Sequence, residues 1–112
     1  MTIIGLTISI SRHGKQRLKQ RVHGNPQKAA EDALYKGLTH NELNGSLKDY
    51  VDWLAMTSKQ GPVAEYRVYY DNIYLFGRGP LLITVLHIPV RHRKLALKLT
   101  QEKKASIVET PE

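Results

Sequence analysis

The sequence predicts an α+β domain, with an N-terminal strand and helices packed on a C-terminal antiparallel β meander, and three observations carry that reading. Between residues 26 and 58, apolar positions recur at three- and four-residue spacing, the period of helices with one buried face. From Val63 onward the pattern changes to β-branched and aromatic runs broken by short turn signals. Leu81–Ile88 is a nearly unbroken apolar run, which suits a central strand covered on both faces. Helices followed by hairpin-linked strands give helices packed on an antiparallel sheet.

The elements follow in order. Ile4, Leu6, Ile8 and Ile10 alternate with Gly5, Thr7 and Ser9, the period of a half-buried strand. Ser11 can cap a helix that runs to His23, which Gly24 and Pro26 end. Asn25 caps a second helix, Pro26 suits its first position and Gly37 stops it after Lys36. Thr39–Gly45 is turn-like. Ser46 then caps a third helix over Leu47–Ser58, with Leu47, Tyr50, Val51 and Leu54 on its buried face and Trp53 adjoining as core or rim. Val63–Tyr70 and Ile73–Arg78 read as a hairpin closed by Asp71-Asn72, two residue types that tolerate positive φ. Gly77–Pro80 turns the chain into Leu81–Ile88, and Pro89 ends that strand. Arg91–Thr100 is a short helix anchored by Leu95 and Leu99. One domain is expected over residues 1–100, with 101–112 a disordered tail that carries no packing pattern.

The chain of 112 residues is basic, with seventeen Lys and Arg against ten acids and a net charge of +7. Nine of the seventeen cations fall in two short segments. Arg12, Lys15, Arg17, Lys19 and Arg21 lie in the first helix, and Arg91, Arg93, Lys94 and Lys98 lie near the C-terminus. Charge concentrated in this way points to a polyanionic partner, RNA or single-stranded nucleic acid first. A cationic helix can also be an ordinary solvated face whose long side chains lie along apolar surface. An acidic protein would equally match such a helix, which leaves a non-enzymatic inhibitor or regulator as the alternative to nucleic-acid binding. Neither segment has the apolar opposite face that an anionic membrane surface needs, so no membrane partner is expected. The absence of cysteine excludes a disulfide framework, a cysteine nucleophile and a thiolate metal site, and fits a reducing cytoplasm. The apolar start lacks a basic leader region and a cleavage site and is too short to span a bilayer. The sequence indicates no oligomeric state.

Most candidate constellations carry little chemistry. Asp49 and Asp52 fit a solvated helix face. His87 and His92 lack a metal-ligand spacing, His23 and His40 lie in loops, and Gly77–Pro80 does not open a helix as a phosphate loop would. No metal site and no cofactor are expected. What remains is the first helix. Gly14, Leu18 and Val22 form its buried stripe, and His13, Arg17 and Arg21 form a second line roughly 100° round the helix, at the edge of that stripe. One imidazole and two guanidiniums supply, in kind, what metal-independent RNA cleavage needs. One group moves the proton of the 2′-hydroxyl, and cations stabilise the developing charge on phosphorus. Thr84 is an unexpected hydroxyl in an apolar strand.

A strand followed by Ser11, His13, Arg17 and Arg21, then a helix ending in Gly37, then a meander ending in Ile83-Thr84-Val85, resembles a family of small bacterial, Firmicute-type and phage proteins. That family is placed near the barnase–EndoU–colicin–RelE group of ribonuclease-like folds. The resemblance covers roughly residues 4–90 and departs from the pattern in the extra helical piece at 42–60. It implies a helix-on-sheet fold with an RNA-facing groove. For a metal-independent endoribonuclease it nominates His13, Arg17, Arg21 and Thr84 as catalytic, with Arg12, Lys15, Lys19, Arg91, Arg93 and Lys94 contacting nucleic acid.

Overall fold

A computed structural model describes residues 8–21, 25–57, 63 and 65–108, with the backbone alone for residue 21 and for 106–108. The fold is α+β. The strands β1 (Ser9–Ile10), β2 (Glu65–Tyr69), β3 (Asn72–Gly77) and β4 (Leu81–His87) form one sheet in the order β1-β4-β3-β2. β2, β3 and β4 are the expected antiparallel meander, and β1 joins β4 in parallel. β4 is therefore a central strand. The expected strand positions Ile4–Thr7 lie outside the described residues.

Helices cover both faces. α1 (Arg12–Arg21) and α2 (Pro26–Lys36) lie on one, where Leu18, Ala30 and Ala33 pack with Tyr74, Phe76, Leu82 and Val85. α3 (Gly45–Thr57) and α4 (Val90–Val108) lie on the other, where Leu47, Val51, Leu54, Ala96 and Leu99 pack with Val68, Ile73 and Leu75. β3 is buried along its whole length because its alternate side chains feed two different cores.

Local chemistry sets the helix boundaries. The Asn25 side chain accepts from the backbone N–H groups of Gln27 at 2.8 Å and Lys28 at 3.3 Å, which caps α2 as its sequence requires. Ser11 accepts the Gly14 N–H at 2.9 Å and donates its own hydroxyl to the Ile83 carbonyl at 2.8 Å, so one residue both starts α1 and ties it to β4. Past Lys36 the chain crosses the outer edge of β2. There the Leu38 N–H donates to the Val68 carbonyl at 2.7 Å, and the Val68 N–H donates back to the Leu38 carbonyl at 3.1 Å. This short bridge covers an edge strand that would otherwise present unpaired backbone.

Four sequence expectations need correction. The hairpin turn is Tyr70-Asp71, not Asp71-Asn72. Asn72 pairs within the sheet opposite Tyr69, and Tyr70 takes the left-handed φ of 57°. Contacts from α4 hold that conformation, because the Tyr70 N–H donates to Thr100 Oγ1 and the Lys104 ammonium donates to the Tyr70 hydroxyl. α3 begins at Gly45, whose φ of 60° favours glycine, and the Ser46 hydroxyl engages His92 instead of capping the helix. α4 continues to Val108 where a tail was expected after Thr100. Its second half is held by Lys103, which donates to the Gly37 carbonyl and to Glu42 at 2.8 Å each, so no apolar stripe announces it. Burial disfavours the ionised Glu42 carboxylate. The Lys103 ammonium, the Thr39 N–H and the Thr39 hydroxyl outweigh that cost and hold Glu42 below the usual carboxylate range.

The fourth correction is Thr84. A bulge displaces the register between Leu75 and Phe76, so Leu75 faces Thr84 while Phe76 faces Leu82. Thr84 shares the face of Leu75, under α3 and α4, and is 0% exposed. It cannot line a groove beneath α1. Its hydroxyl oxygen has no hydrogen-bond partner among the described residues. Thr84→Val is accordingly expected to leave stability unchanged or raise it by up to about 1–2 kcal/mol, because a buried unpaired hydroxyl costs more than the methyl that replaces it. Urea denaturation of the two proteins checks this, and a clear loss of stability would contradict it.

No helix among the described residues is long and apolar enough to cross a membrane.

Candidate functional site

α1 presents four cations within eight residues and no acid along its length. Gly14 and Leu18 face the sheet as expected, which turns Arg12, His13, Lys15 and Lys19 to solvent and leaves Arg17 half-buried beside them. The Arg17 Nε–H donates to His13 Nε2 at 3.4 Å, and its Nη1 donates to Gln20 Oε1 at 3.3 Å. Both partners are uncharged when they accept, so neither cancels the guanidinium. Four cations elsewhere are neutralised, since Lys28 and Lys36 pair with Asp32, Arg67 with Glu65 and Lys103 with Glu42. Arg91, Arg93, Lys94, Lys98 and Lys104 of α4 have no carboxylate partner among the described residues, as those of α1 have none. Among the described residues, no carboxylate pairs with Arg12, Lys15, Arg17 or Lys19, and the first turn of α1 holds no acid. The positive end of the helix dipole adds to the field there. Beside Lys15 the surface dips into a depression of about 320 Å³, lined also by Ile10, Asn25, Pro26 and Gln27.

The other nominated residues are dispersed. Arg21 closes α1, and its side chain lies outside the described residues. Thr84 is sealed on the far face. Arg91, Arg93 and Lys94 belong to α4 and thus to the layer opposite α1, so the two basic segments do not share a face. Arg93 is partly committed to the fold, since its Nε–H donates to the Ile88 carbonyl at 2.7 Å just before α4 begins. Lys94 is exposed. The structure thus brings together Arg12, His13, Lys15, Arg17 and Lys19, and separates them from the rest.

Comparison with family models, with curated proteins and with solved structures finds no match to this chain. The chemistry has to be read from the side chains themselves.

They form a second feature that the sequence did not disclose. Where α3 and α4 both begin, a cleft of about 540 Å³ is lined by Ser46, Asp49, Tyr50, Trp53, Arg91 and His92. Three rings form its wall. Trp53 and Tyr50 are 5.8 Å apart and tilted by 31°, and Tyr50 and His92 are 5.2 Å apart and tilted by 33°. His92 is 6% exposed. Its desolvation, and then the adjacent Arg91 guanidinium, hold its pKa below the ordinary value of 6.5. Arg91 Nε–H can only donate, and it does so to His92 Nε2 at 3.1 Å. The ring proton therefore sits on Nδ1 and is given to Ser46 Oγ at 3.1 Å. In this tautomer His92 cannot take a proton from Ser46, so the pair positions groups in the cleft and does not activate a nucleophile. In the sequence Tyr50 and Trp53 read as the core or rim of α3, and nothing there marks the cleft. Its other half comes from a helix that begins more than thirty residues after α3 ends.

Proposed function

We propose that the exposed face of α1 binds RNA or single-stranded nucleic acid by contacts to phosphate. The observation that carries this reading is the set of four cations, Arg12, Lys15, Arg17 and Lys19, which no carboxylate neutralises among the described residues. Phosphates supply the missing charge, and the counterions that they release drive the association. Guanidinium forks at Arg12 and Arg17 grip two phosphate oxygens each, while Lys15 and Lys19 act as point charges. The reading stops at binding, because the hydroxyl expected beside His13 lies on the other side of the sheet.

Fluorescence anisotropy with a single-stranded RNA oligonucleotide, repeated over a salt series, tests it. Three or four phosphate contacts give a log–log salt slope of roughly −2 to −3, since each contributes about −0.7 on a single strand. Changing Arg12, Lys15, Arg17 and Lys19 together to Gln should flatten the slope and weaken binding to all base sequences alike. Equal binding by this variant, or no binding at low salt, refutes the proposal. Equally tight binding of polyglutamate would move the reading to an acidic protein surface.

A further inference from the structure

We propose that the cleft between the starts of α3 and α4 binds a guanine nucleotide, either free or as an unstacked residue of a strand. This reading goes beyond the phosphate contacts of α1 and does not depend on them, because the cleft lies on the opposite layer.

Three features of the lining select the ligand. The first is a flat apolar wall. Trp53 is 56% exposed although α3 already buries Leu47, Val51 and Leu54, so packing within the domain does not explain where the indole stands. Together with Tyr50 it offers a stepped surface on which a planar base can stack. The second is a carboxylate and a guanidinium in one cleft. Asp49 and Arg91 both line it, and among the described residues neither forms an ion pair with the other or with any other charged side chain. Opposite charges that share a cleft without bridging leave room for a ligand with a donor edge at one end and an anion at the other. The third is the helix start. Arg91 stands in the first turn of α4, where the positive end of the helix dipole adds to its charge in favouring a negative group, although the His92 N–H is already given to the Pro89 carbonyl at 2.9 Å.

A guanine nucleotide meets all three. A carboxylate only accepts hydrogen bonds, and the guanine edge places two donors, N1–H and the N2 amino group, side by side. Adenine and cytosine each set one amino donor next to a ring-nitrogen acceptor, which an ionised carboxylate repels. Uracil flanks its single N–H with two carbonyls. The phosphate then falls to Arg91, and the Ser46 hydroxyl keeps its own proton free for an acceptor, because His92 donates to its oxygen. The volume of about 540 Å³ is in the range of small-molecule sites.

Trp53 is the chain's single tryptophan, so its fluorescence reports on this cleft alone. Titrating the full chain with 5′-GMP should quench it saturably, with AMP, CMP and UMP weaker by about tenfold or more. Asp49→Asn should remove the preference for GMP over AMP, and Arg91→Gln should reduce GMP to the affinity of guanosine. Both changes are at exposed side chains, and circular dichroism verifies that the fold is kept. An RNA oligonucleotide with one guanine separates the two sources. If it quenches at lower concentration than GMP the occupant is a strand residue, and if only GMP quenches it is a free nucleotide. No saturable quenching by GMP or by the oligonucleotide overturns the proposal, as does a base preference that survives Asp49→Asn.

Discussion

Replacing Gly14 with alanine is expected to destabilise the domain by about 1–3 kcal/mol, although the same change in an isolated helix would stabilise it by about 1 kcal/mol. The reason is the closeness of α1 to β4. A Cβ at position 14 would stand 2.8 Å from the Leu82 carbonyl oxygen, and 3.2 Å from both the Ile83 carbonyl oxygen and Ser11 Oγ. The first two are backbone atoms of a central strand, which cannot swing aside as the end of a side chain could. The helix would have to lift, and lifting it strains the two hydrogen bonds by which Ser11 caps α1 and grips Ile83. Leu18, one turn further along the same stripe, would withdraw from the core that it shares with Leu82 and Val85. Gln16→Ala, on the exposed side of the same helix, is the control. It adds helix propensity without a new contact and should be neutral within about 0.5 kcal/mol. Urea midpoints of the three proteins measure the difference. A stabilised Gly14→Ala protein would mean that α1 is not seated on the strand, and the orientation of its cations would fall with it.

The elements that were legible in the sequence are those whose cause is local. Asn25, Pro26 and Gly37 bound α2 within eleven residues, and the unbroken run at β4 announced a strand covered on both faces. The stripe of Gly14 and Leu18 gave the orientation of α1, but it set His13 with Arg17 at the edge of the buried face, and the structure keeps only Arg17 there and turns His13 to solvent. What was not legible depends on contacts between distant segments. Asp71-Asn72 has the better turn chemistry, yet Thr100 and Lys104 of α4 hold the turn one residue earlier. The face of Thr84 follows from a bulge, and alternation alone does not reveal on which side of an apolar strand a single hydroxyl falls. The two basic segments look alike as charge runs, and only the layering of helices on opposite faces separates them. The cleft of Tyr50, Trp53 and His92 exists because two helices begin side by side, which no spacing within either helix encodes.

Arg67→Met is expected to cost about 2–4 kcal/mol, more than a surface ion pair could account for. The chain leaves α2 at Gly37, and the Leu38 N–H, which a continuing helix would give to the Leu34 carbonyl, goes to Val68 on the sheet edge instead. The Leu34 carbonyl is then left to Arg67, whose Nη1 donates to it at 2.6 Å and to the Gly37 carbonyl at 3.4 Å, while its Nε–H reaches Glu65. The guanidinium side chain is 16% exposed, and the Glu65 carboxylate is 40% exposed. Most of the loss therefore comes from a carbonyl left without its donor, at about 1–3 kcal/mol, and from a lost charge-assisted bond. Little comes from the ion pair. Gly37 keeps a second donor in Lys103 at 2.8 Å, so only one of the two carbonyls is stranded. Glu65→Gln, which removes the charge and leaves both carbonyl contacts in place, should cost less than about 1 kcal/mol. Arg67→Lys should recover less than half of the loss, since an ammonium lacks the planar fork that reaches a helix end and a carboxylate together. Denaturation midpoints for Arg67→Met, Arg67→Lys and Glu65→Gln decide between the two accounts. If Glu65→Gln proves as costly as Arg67→Met, the ion pair holds this corner, and the crossing of the chain over the β2 edge does not depend on the capped carbonyl.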